Sequence, residues 1–428
     1  MRTLRLLPLI AALCALLPPQ IRAAQPSLRA LYQFSNPAGG LVPNGLVDAG
    51  GALYGTTQFG GAGGSSAYGA VFEMQPPAAP GGKWTQTILY TFYGLNGDGA
   101  QPLVSPTVGP GGVLYGTTRY GGIDAEPNTP ATGDGVVYEL APSTVPGGAW
   151  TETVLYKFTG FGDGNSPQAG LVLCRNPAIC TPGALFGTTV GGGAYGYGVV
   201  FELDPPATPG GAWTETVLYS FAGAPDGQGP TGIVMADDGA LYGVTVAGGG
   251  ANVGTVFELA PPAAPGGAWT QTVLYTFKAG RDGSVPYEPP LIGKDGTLYG
   301  TTGGCAGFCK PRGDGLVFAL QPPAAPGGAW TKETLYSFGT RQFPQSPLVS
   351  RGGAFFGGTG TLGPQGGRLF KLQRQADGTW ANAFLHKFRG KTYSPAGNFV
   401  MDKSGTIIGT TVPYSLLTPT STAYKLKP

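Results

Sequence analysis

One five-residue phrase, Leu-Tyr-Gly-Thr-Thr, constrains this chain more than any other feature. It stands at residues 53–57, 114–118 and 298–302. It is edited to Leu185-Phe186-Gly187-Thr188-Thr189, Leu241-Tyr242-Gly243-Val244-Thr245, Phe355-Phe356-Gly357-Gly358-Thr359 and Ile407-Ile408-Gly409-Thr410-Thr411. The central glycines, Gly55, Gly116, Gly187, Gly243, Gly300, Gly357 and Gly409, lie 61, 71, 56, 57, 57 and 52 residues apart. A period of this size marks a repeat architecture, in which no unit can bury its apolar face alone. Length alone suggests two or three domains for 428 residues. Seven units closing on one another override that expectation and make residues 28–428 a single body.

Each unit holds four short runs rich in β-branched and aromatic residues, bounded by turn residues. In the best-preserved copy they fall at 231–235, 240–245, 255–259 and 269–277. The last run alternates, with Trp269, Gln271, Val273, Tyr275 and Phe277 on one face. Between the third and fourth runs lies Pro-Pro-x-x-Pro-Gly-Gly, as at 76–82, 205–211, 261–267 and 322–328. Proline presets φ and the next glycine takes the positive φ of a type II turn, so these are hairpins. The fold class expected is all-β: a seven-bladed β-propeller with four antiparallel strands per blade.

The phase of the repeat predicts how the ring closes. The chain enters on a fourth-strand sequence, Leu28-Arg29-Ala30-Leu31-Tyr32-Gln33-Phe34, and leaves on a third-strand sequence, Ala423-Tyr424-Lys425-Leu426. The N-terminal strand is therefore expected to complete the last blade, which removes the open ends a linear stack must cap. The six tryptophans follow the Pro-Gly-Gly turns, and each is expected to anchor the edge of its own blade.

Composition bounds the partners. The chain has 77 glycines and 41 prolines, a level that without a period reads as disorder and here reads as turn punctuation. Charged residues are 11% with no acidic or basic run, so neither nucleic acid nor an anionic membrane surface is an expected partner. Residues 1–23 read as a secretory signal: Arg2 and Arg5, an apolar stretch over 6–17, and a small-residue exit at Ala23-Ala24. That stretch is short of the roughly 20 residues a membrane span needs, and no later segment supplies one. The expected address is secreted or cell envelope, with no C-terminal anchor. Export implies disulfides for Cys174, Cys180, Cys305 and Cys309, which sit in two tight pairs and read as loop staples rather than metal ligands.

The tandem Leu-Tyr-Gly-Thr-Thr, Gly-Gly, Val-Phe-Glu-Leu, Leu-Tyr-x-Phe resembles the GloVer repeat of the choice-of-anchor tandem-repeat bacterial exported proteins. The words recur in fixed order over nearly all of the mature chain. The resemblance implies an exported bacterial protein of no assigned activity, often tethered by a C-terminal anchor that this sequence lacks. The strand phasing also resembles NHL-type propeller repeats.

In a propeller the second-to-third and fourth-to-first loops share one face, and that face carries the variable segments. Function usually lives on loops held by a rigid scaffold, so a ligand site is expected there, near the channel mouth. Phe59, Tyr120, Tyr195, Tyr197, Phe308, Arg312 and Tyr414 are the side chains placed to stack on or hydrogen-bond a ligand. Asp98, Asp163, Asp226 and Asp282 each precede a glycine in the fourth-to-first loops, which reads as Asx-turn chemistry before it reads as a calcium rim. Arg312-Gly313-Asp314 spells an adhesion word that a glycine-rich loop produces by chance. The single histidine, His386, falls on an outer strand where other repeats carry tyrosine, which excludes a Ser-His-Asp set. No catalytic residue, metal or cofactor is expected. The reading is a monomeric, non-enzymatic binding scaffold whose partner is a glycan, a peptide or an envelope protein. The alternative is a carbohydrate-active enzyme using loop carboxylates such as Asp134, Asp282, Glu288 and Asp314.

Overall fold

The computed structural model describes residues 27–79, 81–122, 132–145, 147–208, 210–264, 267–303, 313–325, 327–339, 342–361, 366–388, 394–412 and 420–428. The signal segment 1–23, Cys305, Phe308, Cys309, Arg312 and Tyr414 lie outside the described residues.

Seven antiparallel sheets succeed one another along the chain and form a β-propeller, their first strands surrounding one central channel. The fourth blade shows the plan. Its strands Gly227–Met235, Leu241–Gly248, Thr255–Ala260 and Thr270–Thr276 pair in that order from the channel outward. The first strand starts four residues before the predicted 231–235 run, because a register break after Pro230 lets an irregular segment join the sheet. Ring closure occurs as the phase requires. Ser27–Phe34 is the outer strand of the last blade, beside Ser421–Lys427, with Leu28 opposite Leu426 and Phe34 opposite Ser421.

The repeat word owes its glycine to one cross-strand pair. Each central glycine stands opposite an aromatic residue of the third strand: Gly55 and Phe72, Gly116 and Tyr138, Gly187 and Phe201, Gly243 and Phe257, Gly300 and Phe318, Gly357 and Phe370, Gly409 and Tyr424. The ring lies across the bare glycine. A Cβ on Gly243 would stand 2.4 Å from the Phe257 ring, and one on Gly357 2.4 Å from that of Phe370. A glycine in a strand loses packing, and an aromatic laid over it restores the contact.

The same aromatic faces the outer-strand phenylalanine of the preceding blade. Phe34–Phe72, Phe92–Tyr138, Phe158–Phe201, Phe221–Phe257, Phe277–Phe318, Phe338–Phe370 and Phe388–Tyr424 all have ring centroids 4.9–5.4 Å apart. Such tilted pairs contribute about 0.5–1.5 kcal/mol each beyond their buried area. Seven of them make a closed belt, and the N-terminal strand supplies the Phe34 link.

Two smaller words support the belt. The tyrosine of Leu-Tyr-Gly donates to the glutamate of Val-Phe-Glu-Leu across the strands, Tyr54 to Glu73 at 2.8 Å and Tyr242 to Glu258 at 2.9 Å. The Pro-Gly-Gly turns are type II, with Gly81, Gly147, Gly210 and Gly327 at φ +73° to +85° and an i to i+3 bond such as Gly82 N–H to the Ala79 carbonyl. The tryptophans differ from expectation. Trp150, Trp213, Trp269 and Trp330 pack against Tyr54, Tyr115, Phe186 and Tyr242, each on the blade before its own, at 6.0–6.4 Å. The second-strand aromatic projects into the wedge between sheets, and the indole fills it. Trp380 alone of these stacks within its own blade, on Phe355.

Gly243→Ala, which drives a methyl into the Phe257 ring, is expected to destabilise by about 1–3 kcal/mol. Gly250→Ala, where a Cβ meets nothing within 4 Å, is expected to leave the melting temperature unchanged. Phe34→Ala is expected to cost about 3–5 kcal/mol, because it opens the belt at its closure. Thermal and denaturant unfolding of the three variants checks both statements.

Candidate functional site

The channel wall is built from the inner segment of each blade, and all seven inner segments carry a proline: Pro43, Pro102, Pro167, Pro230, Pro286, Pro344 and Pro395. Proline suits such an edge position, where no ladder N–H is needed. Six of these rings pack on the preceding blade. The Cδ atoms of Pro102, Pro167, Pro230, Pro286, Pro344 and Pro395 lie 2.6–3.0 Å from where a Cβ would stand on Gly69, Gly135, Gly198, Gly254, Gly315 and Gly367. Only glycine at the head of the third strand admits the next blade's proline. The residue before the proline turns left-handed at the mouth: Val42, Gln101, Ser166 and Val285 have φ of +53° to +59°. That conformation costs a non-glycine residue about 1–2 kcal/mol, which the blade seam sustains.

Below the prolines lies a cavity of about 850 Å³. Its polar lining includes Gln168, Thr231, Tyr287, Glu288, Gln345 and Asn398, drawn from five blades. Some lining groups are already engaged. The Asn44 amide donates to the Pro102 carbonyl at 2.7 Å, and the Asn398 amide to Ser105 at 3.0 Å. Gln168, Tyr287 and Glu288 have no side-chain hydrogen bond to any described residue. Asp48 and Arg175 are the other charged lining residues; Asp48 caps the Gly51 N–H, and Arg175 donates to the Val108 carbonyl.

Glu288 dominates the electrostatics. It lines the lumen and is half-buried there. Burial alone pushes its carboxyl up to about 8. The Tyr287 phenol is raised too, chiefly by burial and then by the Glu288 charge, while the Arg119 guanidinium acts in the opposite sense. Arg119 stands at the head of the second blade's variable loop, over the Tyr120 ring at 4.8 Å, with its buried Nε unpartnered among the described residues.

Of the side chains expected to form a site on the loop face, four are among the described residues. Phe59 ends a second strand opposite Leu41, and Tyr120 pairs opposite Ala100. Tyr197 packs over Gly223, and Tyr195 is 63% exposed. None of the four lines the channel. In the same blade Phe161 is 83% exposed, its loop tied to the tyrosine loop by the Gly193 N–H to Phe161 carbonyl bond at 2.7 Å.

Most loop acids are consumed by structure. Asp98, Asp163, Asp226 and Asp282 accept from Tyr90, Tyr156, Tyr219 and Tyr275 at 2.8–3.3 Å and from a backbone N–H of their own loop. Asp282 also pairs with Lys332 at 3.0 Å, and Asp314 accepts from Ser337. Among the described residues no group of three His, Cys, Asp or Glu is placed to hold a metal ion. Cys174 and Cys180 form a disulfide in the loop that carries Arg175 to the lower end of the channel. His386 packs edge-on against Phe388. No helix among the described residues is long and apolar enough to cross a membrane.

Sequence reading named Glu288 only as one loop acid among several and passed over Gln168, Tyr287 and Arg119. A signal was present. With the repeats aligned on the opening proline, the position of Glu288 holds Gly45, Val104, Ala169, Gly232, Ser346 and Gly397 elsewhere, all far smaller than glutamate except Val104.

The model of the Gloeobacter/Verrucomicrobia repeat matches residues 175–415. No curated protein matches the chain. Solved structures similar to it include a puromycin-hydrolyzing peptidase of Mycobacterium tuberculosis, at 13% identity and TM-score 0.39, covering 88% of this chain and 59% of that one. The chain thus spans less than two thirds of that peptidase. A polysaccharide lyase is 11% identical at TM-score 0.46, covering 89% of this chain and 88% of that one. A glucose dehydrogenase is 12% identical at TM-score 0.42, covering 94% and 100%.

Glu152 and Glu215 sit at blade seams beside Asp98 and Asp163, and burial first, then the neighbouring carboxylate, pushes each up to about 7. A carboxyl raised in the folded state stabilises most below its unfolded value near 4.5, and loses that contribution as pH rises through the folded one. These two carboxyls are expected to lower the melting temperature as pH rises from about 4.5 to about 7. The double variant Glu152→Gln, Glu215→Gln is expected to reduce that fall in a pH series of thermal melts.

Proposed function

We propose that this chain, which belongs to the Gloeobacter/Verrucomicrobia repeat family, is an exported binding protein that holds a small polar ligand, or the end of a glycan or peptide, in its central channel. The observation that carries this reading is the lumen itself. Its volume of about 850 Å³ lies within the range of roughly 300–1,000 Å³ usual for ligand sites. Its wall presents Gln168, Tyr287 and Glu288 without partners among the described residues, beside apolar residues such as Leu46, Leu103 and Ile233. Convergent polar groups on an apolar wall are the general form of a small-molecule site.

Binding is favoured over hydrolysis by the disposition of the acids. Glycoside hydrolysis requires two carboxyl groups within about 5–9.5 Å across a pocket. The lining holds Glu288 and Asp48 alone, and Asp48 lies on the strand Val47–Ala49 by the first-to-second turn, with its carboxylate on Gly51. Asp282 and Asp314 lie outside the lining, paired with Lys332 and Ser337. Export is supported by the N-terminal sequence and the Cys174–Cys180 disulfide, since such bonds persist in oxidising compartments. The loop-face side chains Phe59, Tyr120, Tyr195 and Tyr197 are then a rim for whatever part of a longer ligand extends beyond the mouth.

The test is a glycan and peptide array probed with the mature chain. Ligands retained by the wild type are expected to be lost by Tyr287→Ala and Gln168→Ala and kept by Tyr195→Ala. An array with no retained ligand, or ligands lost only with Tyr195→Ala, overturns the channel as the site.

A further inference from the structure

Glu288 breaks the rule of its own repeat. Where the first strands crowd together, Gly45 and Gly397 leave no room for a side chain: a Cβ on Gly45 would stand 2.5 Å from the Asn398 backbone, and one on Gly397 2.2 Å from the Asn44 carbonyl. Repeat five nevertheless places a glutamate at this position, next to the crowded Pro289-Pro290. Local departures from an otherwise consistent pattern concentrate at functional sites.

Among the described residues nothing neutralises this acid, and each described charged or titratable group near it is accounted for. Tyr287 lies beside it and feels its charge, Arg119 acts on Tyr287 from the mouth, and Asp48 and Arg175 line the lumen elsewhere with bonds of their own. An ionised carboxylate in such a place is costly unless a cation meets it. The arrangement tolerates the neutral acid and leaves the charged form waiting for a partner from outside.

The chemistry of that partner is narrow. A divalent cation such as calcium needs six to eight oxygen ligands, and one carboxylate does not provide them. An anionic ligand is repelled by the ionised form and gains no ion pair from the neutral one. A neutral sugar is served by amides and hydroxyls, and gains nothing from an ionisable acid that a glutamine in its place would not give. An organic cation answers the carboxylate with a charge-assisted bond, and the adjacent Tyr287 ring offers it an electron-rich face.

We infer that the central channel receives a ligand bearing a protonated primary amine, which pairs with Glu288 beside Tyr287. This rests on the channel being the binding site and adds the class of ligand. Because Glu288 is largely protonated at neutral pH without ligand, pairing releases its proton, and affinity rises with pH while the amine stays charged.

The experiment is isothermal titration calorimetry of the mature chain with two matched pairs of probes: glucosamine against N-acetylglucosamine, and 1,5-diaminopentane against 1,5-pentanediol. The amines are expected to bind at least tenfold more tightly than their neutral partners. Their affinity is expected to rise from pH 6 to pH 8, and the heat at pH 7 to depend on the ionisation enthalpy of the buffer. Glu288→Gln is expected to abolish both the preference and the buffer dependence while melting no lower than the wild type. Glu288→Ser, which copies Ser346 of the next repeat, is the second variant and is expected to behave alike. Equal binding of the neutral probes, or amine binding that survives both variants, overturns the inference while leaving the channel as a site. Absence of binding by all four probes overturns the inference, whereas the array result with Tyr287→Ala and Gln168→Ala decides the channel independently.

Discussion

The whole ring depends on an aromatic ring lying across a glycine. In each blade the pair joins the second and third strands, and its aromatic then meets the phenylalanine of the blade before. One side chain thus fastens two strands within a sheet and two sheets to each other. The glycine makes this possible because the ring occupies the volume a Cβ would need. Loss of the methyl is therefore a condition of the packing and not a weakness of the strand. The phenylalanines and leucines of this layer are close to fully buried, as Phe72, Phe201, Phe257, Leu203 and Leu259 show.

Fastening the blades at this radius leaves the inner strands free to vary. They are short: in the second and fifth blades the wall strands reduce to Thr107–Val108 and Leu291–Ile292. Proline at their start and glycine on the neighbouring third strand hold them by shape, with few ladder hydrogen bonds. A wall held this way accepts residues a regular strand resists, including consecutive prolines at 289 and 290 and an acid at 288 with no partner among the described residues. The scaffold is repetitive where it carries load between blades and idiosyncratic where it faces the lumen.

Much of the fold was legible in the chain. The period counts blades, the phase of the ends closes the ring, and Pro-Gly-Gly names its turns, because each of these is decided by neighbours within a few residues. The Asp-Gly motif was legible as turn chemistry, although its tyrosine partner, such as Tyr275 for Asp282, became clear only with the loop folded back on the strand. The tryptophans were assigned to the wrong blade because a linear pattern does not show which sheet fills the wedge between two. The site was the least legible part. Aromatic residues in variable loops drew attention to Phe59, Tyr120, Tyr195 and Tyr197, whereas the groups that share a cavity come from first strands 50 or more residues apart, such as Gln168 and Tyr287.

What the sequence determined alone was the unit: four strands, their turns, the glycine beneath each ring, and the number of copies. These follow from local sterics and from burial with period two, which need no knowledge of distant residues. What only the tertiary structure decided was the environment of single side chains at the centre. Glu288 is an ordinary loop acid until seven first strands surround it, and enclosure, which raises the energy of its charge, is a property of the ring as a whole.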